Sequence, residues 1–155
     1  MADTPLSAAA HAARRQREDA VLSEAETILW GRLRRRGRLR GPRDAERFLR
    51  MRLAGRLHEE LHAVWLDGHH RIIACEVLAK GAVDRADIDP RVVLQRALLC
   101  NARAVILAHN HPSGVAEPSA EDVRWTKQVR EALGMFEVEL LMHFVIGDGA
   151  CAVTG

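Results

Sequence analysis

Aromatic side chains are scarce in this 155-residue chain, which has three tryptophans, three phenylalanines and no tyrosine. Trp30, Trp65 and Trp125 form no stripe on which nucleic-acid bases could stack, so we expect them to be packing residues. Long apolar runs are also missing, since none approaches the roughly 18 residues that a membrane-spanning helix requires. The N-terminus lacks the apolar segment of a secretory signal. These features favour a soluble cytoplasmic protein without membrane contact.

Cysteine is scarcer still, with only Cys75, Cys100 and Cys151 in the whole chain. The three residues are widely spaced, and none belongs to a C-x-x-C motif. This pattern excludes a disulfide framework and a zinc site built from thiolates. Each cysteine lies in an apolar stretch, and we therefore predict that all three pack as small hydrophobic residues.

Lysine is absent from residues 1–56, which hold 14 arginines against 7 acidic residues, a balance of +7. Residues 57–155 hold 9 basic and 14 acidic residues, so the net charge of +2 hides a basic head and an acidic body. We predict that residues 1–56 form an arginine-rich, mainly helical N-terminal extension and that residues 57–155 form the main domain. The arginines either make weak contacts with the phosphates of a nucleic acid or cover solvated helix faces, and both alternatives stay open.

The spacing of apolar residues predicts two helices in the extension, at 18–36 and 45–57, and a mixed sheet after them. Asp67-Gly68 separates two short apolar runs and predicts a β-hairpin. The later predicted elements are a helix from Asp89-Pro90, a buried strand at 104–108, a helix from Pro118-Ser119 and strands at 138–147 and 150–155. The order β-β-α-β-α-β indicates an α/β domain with helices flanking a mixed sheet.

The sequence AHNHPSG, residues 108–114, places His109 and His111 directly after the buried strand. Side chains at i and i+2 of an extended chain leave on the same side, so both imidazoles can converge on one point while Asn110 faces the other way. Pro112 prevents the strand from continuing. The C-terminal end of a central strand is also where α/β domains place their binding sites. The two histidines are therefore candidate metal ligands.

A zinc ion needs a third protein ligand, and Asp122 is the candidate because it lies in the first turn of the helix that follows Pro118. The alternative is that Ser119 and Asp122 form a capping box, S-x-x-D, in which neither residue has a function beyond starting the helix. A capping box alone does not explain two converging histidines at the end of a buried strand. The joint pattern H-x-H-x₇-S-x₂-D thus indicates a metal site.

A hydrolytic zinc site also needs a general base, and Glu76 is a carboxylate inside the apolar strand IIACEVLAKG. Its alternative place is a solvent-facing position on an edge strand. His143 in the last long strand is interpreted as a core histidine, with support of the metal site as the alternative. The four histidines around the hairpin are expected at the surface: His58, His62, His69 and His70.

These residues resemble a known family. Glu76, the sequence H-x-H-P at 109–112, Ser119 and Asp122 resemble the JAMM signature of the JAB1/MPN metallopeptidases. The strings EVLAKG, DPRVVLQRALLCNARA and ILAHNHPSGVAEPSAEDVRWT are similar to the RadC-like branch of that superfamily. The resemblance covers about residues 60–147, with Met142 at a position where the branch usually has an aspartate.

The resemblance implies a JAB1/MPN-type, cytidine-deaminase-like α/β/α sandwich with a mixed sheet. It implies one Zn²⁺ held by His109, His111 and Asp122, with a water in the fourth position. Glu76 would take a proton from that water and pass it to the leaving amine, and Ser119 would hydrogen-bond the oxyanion. A metal that activates water and a donor that stabilises developing charge are consistent with this chemistry.

The leading hypothesis is a zinc-dependent JAMM-type metallopeptidase, since family members of known activity cleave peptide or isopeptide bonds. Its partner would be a peptide or protein substrate. The alternative is a nucleic-acid-binding module associated with DNA repair, a label that RadC-like proteins carry, with a structural or vestigial zinc site and phosphate contacts from residues 1–56. An interaction scaffold ranks last, because the superfamily domains that serve as scaffolds lack the metal residues.

Overall fold

The computed structural model of the chain describes residues 8–36, 39, 41–81, 88–148 and 151–154. The helices are α1 (Ala8–Arg36), α2 (Pro42–Leu53), α3 (Pro90–Leu99) and α4 (Ala120–Gly134). The strands are β1 (Glu60–Leu66), β2 (Ile72–Lys80), β3 (Ala104–Asn110), β4 (Glu139–Ile146) and β5 (Cys151–Thr154). Within these residues, no helix combines the length and the apolar character needed to cross a bilayer.

The five strands form one mixed sheet in the order β2-β1-β3-β4-β5. Only β3 and β4 pair in parallel, while the other three neighbouring pairs are antiparallel. Asp67 closes the hairpin between β1 and β2, because its Oδ1 accepts from the backbone N–H groups of His69 and Arg71. Every residue of β3 is buried, as its continuous apolar run predicts for a central strand. The predicted mixed sheet is confirmed.

One face of the sheet packs against α3 and α4. Asp89 caps α3 by accepting from the backbone N–H of Arg91, and Pro90 occupies the first turn, as the sequence predicts. Buried residues of the strands and of both helices form a continuous apolar core on this face: Leu61, Ala63, Trp65, Val93, Ala97, Val105, Leu107, Trp125, Val129 and Leu133. This core fixes α4 over β3, which is the arrangement that the candidate site requires.

The opposite face is covered by α2, whose Phe48, Leu49 and Leu53 are fully buried in a second apolar core. Trp30 of α1 stacks on Phe48 with ring centroids 5.2 Å apart. The chain is therefore an α/β/α sandwich preceded by a helix, as expected. The layer on this face comes from residues that the sequence assigned to the extension 1–56, and the boundary at residues 56 and 57 stays a prediction.

Some local predictions differ from the structure or lie outside it. The first helix begins at Ala8 rather than near residue 18, and the second ends at Leu53. Cys75 and Cys100 are partly buried against the two cores, in agreement with the prediction for them. Residues 1–7, the acidic loop at 82–87 and the side chain of Cys151 lie outside the part of the chain that is described.

Candidate metal centre

His109 near the end of β3 and His111 directly after it bring their ring nitrogens together, as the i, i+2 spacing predicts. Their Nε2 atoms are 3.0 Å apart. His109 is completely buried, whereas the side chain of His111 is 20% exposed. Asn110 points to other partners, since its Oδ1 accepts from the backbone N–H of Glu60 at 2.8 Å and its Nδ2 donates to the carbonyl of His58 at 3.0 Å.

Asp122 in the first turn of α4 completes a triangle with the two histidines. Its Oδ1 lies 3.3 Å from Nε2 of His109, and its Oδ2 lies 3.4 Å from Nε2 of His111. Two ligand atoms of a tetrahedral zinc ion with bonds of 2.0–2.1 Å are roughly 3.3 Å apart. The spacing of these three groups therefore fits one metal ion held between them.

Ser119 and Asp122 also form the capping box that the sequence offered as the alternative. Ser119 Oγ accepts from the backbone N–H of Asp122 at 3.0 Å, and Asp122 Oδ2 accepts from both the backbone N–H and the hydroxyl of Ser119 at 2.8 Å. Burial by itself raises the pKa of Asp122, but the adjacent imidazole of His109 and the hydrogen bonds from Ser119 hold it well below its usual value. One aspartate thus starts the helix and faces the histidines as a carboxylate.

The loop after β3 holds His111 in place. His111 Nδ1 donates to the carbonyl of Val115 at 2.8 Å, and its backbone N–H donates to the carbonyl of Ile146 at 2.9 Å. Gly114 has φ of 86°, a conformation that favours glycine. A Cβ on Gly147 would collide with the carbonyl of Gly114. The loop therefore rests directly on the end of β4.

Glu59, the residue directly before β1, is the carboxylate that reaches the histidine pair from the neighbouring strand's start. One of its carboxylate oxygens and one ring nitrogen from each of His109 and His111 lie within 4.8 Å of one another. Glu59 stands two residues before Leu61, whose backbone pairs with His109, so it shares the site face of the sheet. Glu59 was not among the residues predicted from the sequence, although its alternation with Leu61 and Ala63 is a signal that places it on the site face.

Glu76 is not brought to the histidine pair. Its carboxylate accepts from Trp65 Nε1 at 3.0 Å and from two guanidinium nitrogens of Arg96 on α3, which hold the pKa of Glu76 below its usual value. Glu76 pairs with Ala63, so its Cα lies two strands across and two residues along from that of His109, or roughly 12 Å away. The expectation that Glu76 lies beside the candidate metal ligands is therefore wrong. Its carboxylate instead pairs with Arg96 of α3.

His143 fits both interpretations made from the sequence. It is completely buried, and its Nε2 lies 2.8 Å from Nδ1 of His109 while its Nδ1 lies 2.7 Å from Oγ1 of Thr126. Of the hairpin histidines, His58, His69 and His70 are exposed as expected. The surface position expected for His62 is wrong, because its ring is buried between Arg52 and Glu60.

The arginine-rich helices neutralise part of their own charge. Among the described residues of the range 1–56, three arginines pair with acidic side chains of the same region: Arg14 with Glu18, Arg50 with Glu46 and Arg52 with Glu26. The first two pairs agree with the solvated-face alternative for those positions, whereas the side chains of Arg52 and Glu26 are mostly buried, at 22% and 25% exposed. A nucleic-acid contact through residues 1–56 stays a prediction.

Comparison with known proteins gives one family and a consistent set of relatives. The model of the RadC-like JAB domain family matches residues 39–154. UPF0758 proteins from Azotobacter vinelandii and Vibrio cholerae are each 47% identical over 130 residues, which are 84% of this chain and 58% of the relative. A UPF0758 protein from Stenotrophomonas maltophilia is 51% identical over 108 residues, or 70% of this chain and 46% of the relative. The chain thus spans about half the length of the curated relatives that it matches.

Proposed function

This chain belongs to the RadC-like JAB domain family, and on that premise we propose that it is a zinc-dependent hydrolase of JAMM type that cleaves peptide or isopeptide bonds. The observation that carries the proposal is the triangle of His109 Nε2, His111 Nε2 and the carboxylate of Asp122, with separations of 3.0 to 3.4 Å. Glu59 supports it, because a carboxylate beside such a triangle is what amide hydrolysis requires.

The donor set favours zinc. Two imidazoles and one carboxylate are ligands that zinc accepts readily, and three protein ligands leave one position open for catalysis. A zinc ion held by His109, His111 and Asp122 would supply the Lewis acidity that polarises a scissile carbonyl and makes water a nucleophile near neutral pH.

Glu59 and Ser119 would act on the reacting atoms. Glu59 would take a proton at its carboxylate from the attacking water and later deliver it to the leaving amine, in the role that the sequence analysis gave to Glu76. Ser119 Oγ is held as the cap of α4. Rotation of its O–H bond would turn the hydroxyl proton away from the Asp122 carboxylate, so that the hydroxyl donates to the oxygen of the polarised carbonyl instead. The two groups stand at the starts of the elements that flank the histidine pair, Glu59 directly before β1 and Ser119 directly before α4.

Metal analysis and paired glutamate variants test the proposal. After reconstitution the protein should carry about one zinc per chain by elemental mass spectrometry, and His109→Ala should abolish this occupancy. Glu59→Gln should retain zinc yet lose about 100-fold or more in hydrolysis of a peptide or isopeptide found in a library screen. Glu76→Gln is the matched control, since its carboxylate already pairs with Arg96.

Each outcome bears on a different part of the proposal. Absence of zinc after reconstitution would reject the metal site. Full activity of Glu59→Gln would remove Glu59 from proton transfer, and a selective loss in Glu76→Gln would return that role to Glu76. Zinc without hydrolysis across the libraries would reject the peptidase activity while leaving the metal site in place.

A further inference from the structure

A buried chain of three hydrogen bonds runs from α4 to the back of the His109 ring. Thr126 Oγ1 lies 2.6 Å from the carbonyl oxygen of Asp122 and 2.7 Å from Nδ1 of His143. His143 Nε2 then lies 2.8 Å from Nδ1 of His109. Thr126, His143 and His109 are all at most 2% exposed, so water does not compete for these bonds.

The chemistry of the groups fixes the direction of this chain. The backbone carbonyl of Asp122 can only accept, so Thr126 donates its single hydroxyl proton to that carbonyl. Thr126 Oγ1 must therefore accept from His143 Nδ1–H. Full burial disfavours a charged imidazole, and a neutral His143 therefore has a lone pair at Nε2. That lone pair accepts from His109 Nδ1–H. His109 is thereby held with its Nε2 lone pair towards His111 and Asp122.

We propose that Thr126 and His143 are positioning residues that hold His109 in the tautomer able to bind a metal. The proposal rests on the metal site proposed above. His111 reaches the same tautomer by a local route, because its Nδ1 donates to the carbonyl of Val115 in its own loop. The two histidines therefore have separate supports, one within the loop and one through the core.

A bulge in β4 aims His143 at the site. Backbone pairing between β3 and β4 moves from Val105–Leu140 directly to Ile106–Met142, so Leu141 is an extra residue. The extra residue sends Met142 to the second core, away from the metal centre, and returns His143 to the face that carries His109. Bulges beside functional sites commonly re-aim a side chain in this way.

Thr126→Val and Thr126→Ser form a matched pair that tests the chain. Valine keeps the volume but removes the acceptor for His143 Nδ1–H, so the tautomer of His143 is no longer fixed. Zinc affinity, measured by competition with a chromophoric chelator, should fall about 10- to 100-fold in Thr126→Val. Thr126→Ser retains a hydroxyl and should bind zinc within a few-fold of the wild type. Circular dichroism of the metal-free proteins checks that each variant is folded.

Nitrogen NMR of the imidazole rings reads the tautomer itself and needs no substrate. We expect the proton of His143 on Nδ1 in the wild type, both metal-free and with zinc, and in Thr126→Ser. Thr126→Val should give a mixture. A wild-type His143 protonated on Nε2 would overturn the proposal, as would equal zinc affinity in the valine and serine variants. Both results are independent of hydrolysis, so they can contradict the positioning role without contradicting the proposed peptidase activity. The wild-type spectrum tests the tautomer of His143 even if a variant does not fold.

Discussion

Ser119 shows how one side chain can serve the fold and the site together. Its Oγ caps α4, and its backbone N–H and hydroxyl both donate to the carboxylate of Asp122. A spacing that reads as a capping box is therefore fully compatible with a ligand role for Asp122. The sequence pattern S-x-x-D was interpreted either as a capping box or as part of a metal site, and one geometry is compatible with both.

Replacing Ser119 by alanine should lower both stability and zinc affinity. Loss of the cap should cost about 1 kcal/mol in the free energy of unfolding of the metal-free protein, measured by urea denaturation. Asp122 also loses a hydrogen bond that orients its carboxylate, so chelator competition should show weaker zinc binding. Ser119→Thr keeps the hydroxyl and is the control. Unchanged stability in the alanine variant would mean that Ser119 does not cap the helix in solution.

The candidate ligands that the structure brings together as the sequence predicts are related by short spacing in the chain. His109, His111 and Asp122 lie within one strand-loop-helix segment, where strand alternation and helix-start signals fix their directions. Glu59 lies directly before β1 and Glu76 lies on β2, so choosing between them requires the register of β1 against both of its neighbours. That register depends on contacts distant in the chain, which local patterns do not encode.

At the scale of elements, the site depends on how the loop after β3 meets the end of β4. Gly114 and Gly147 allow the two backbones to approach closely, and the backbone N–H of Asp148 donates to the carbonyl of Gly114 at 2.9 Å. The same loop gives His111 its hydrogen bond through Val115. The position of the exposed histidine is therefore linked to the packing of this loop.

Gly147→Ala should disturb His111 without touching it. The added Cβ would collide with backbone atoms of Gly114 and Ala116, and displacing the loop should cost about 1–3 kcal/mol in the free energy of unfolding. Zinc affinity should fall as well, because Val115 moves with the loop. Gly134→Ala is the control, since its added Cβ would meet no atom within 4 Å apart from its chain neighbours and the backbone of its own helix. Thermal unfolding and zinc titration of both variants would measure the difference, and equal behaviour would contradict the role given to the loop.

The sequence predicted the type of nearly every element but not all of their packing partners. Phe48, Leu49 and Leu53 recur at helical spacing, which predicted α2 correctly, yet periodicity does not say which surface that face will cover. The change from an arginine-rich region to an acidic one favoured a boundary near residue 56. Apolar burial against the sheet brings α2 into the sandwich despite that change in charge.

At the scale of the molecule, a partly buried polar network joins the first two helices to the sheet. Glu26 of α1 pairs with Arg52 of α2 at 2.7 Å, Arg52 Nε donates to Nδ1 of His62, and His62 Nε2 donates to Glu60. Burial lowers the pKa of His62 to about 4 despite the bond to Glu60. His62 is therefore neutral in the folded protein at neutral pH.

The stability of the metal-free protein should consequently decrease in acid. An unfolded His62 takes up a proton near its usual pKa of about 6.5, whereas the folded protein resists this until about 4. The unfolded state thus binds more protons, and stability is lost as the pH falls from about 6.5 to about 4, by on the order of 3 kcal/mol. Urea denaturation at several pH values would measure the slope. His62→Gln should flatten it over that interval, and an identical slope in both proteins would contradict the assignment.

The extra residue at Leu141 also constrains any transfer of this centre to another scaffold. A designer who copied only His109, His111, Asp122, Thr126 and His143 onto a regular parallel strand pair would send the last imidazole to the wrong side. The extra residue must be copied together with the side chains, because it determines which face of the sheet each later side chain of the strand occupies. In an alignment, a gap of one residue at this point would mark a protein that cannot support His109 through its core.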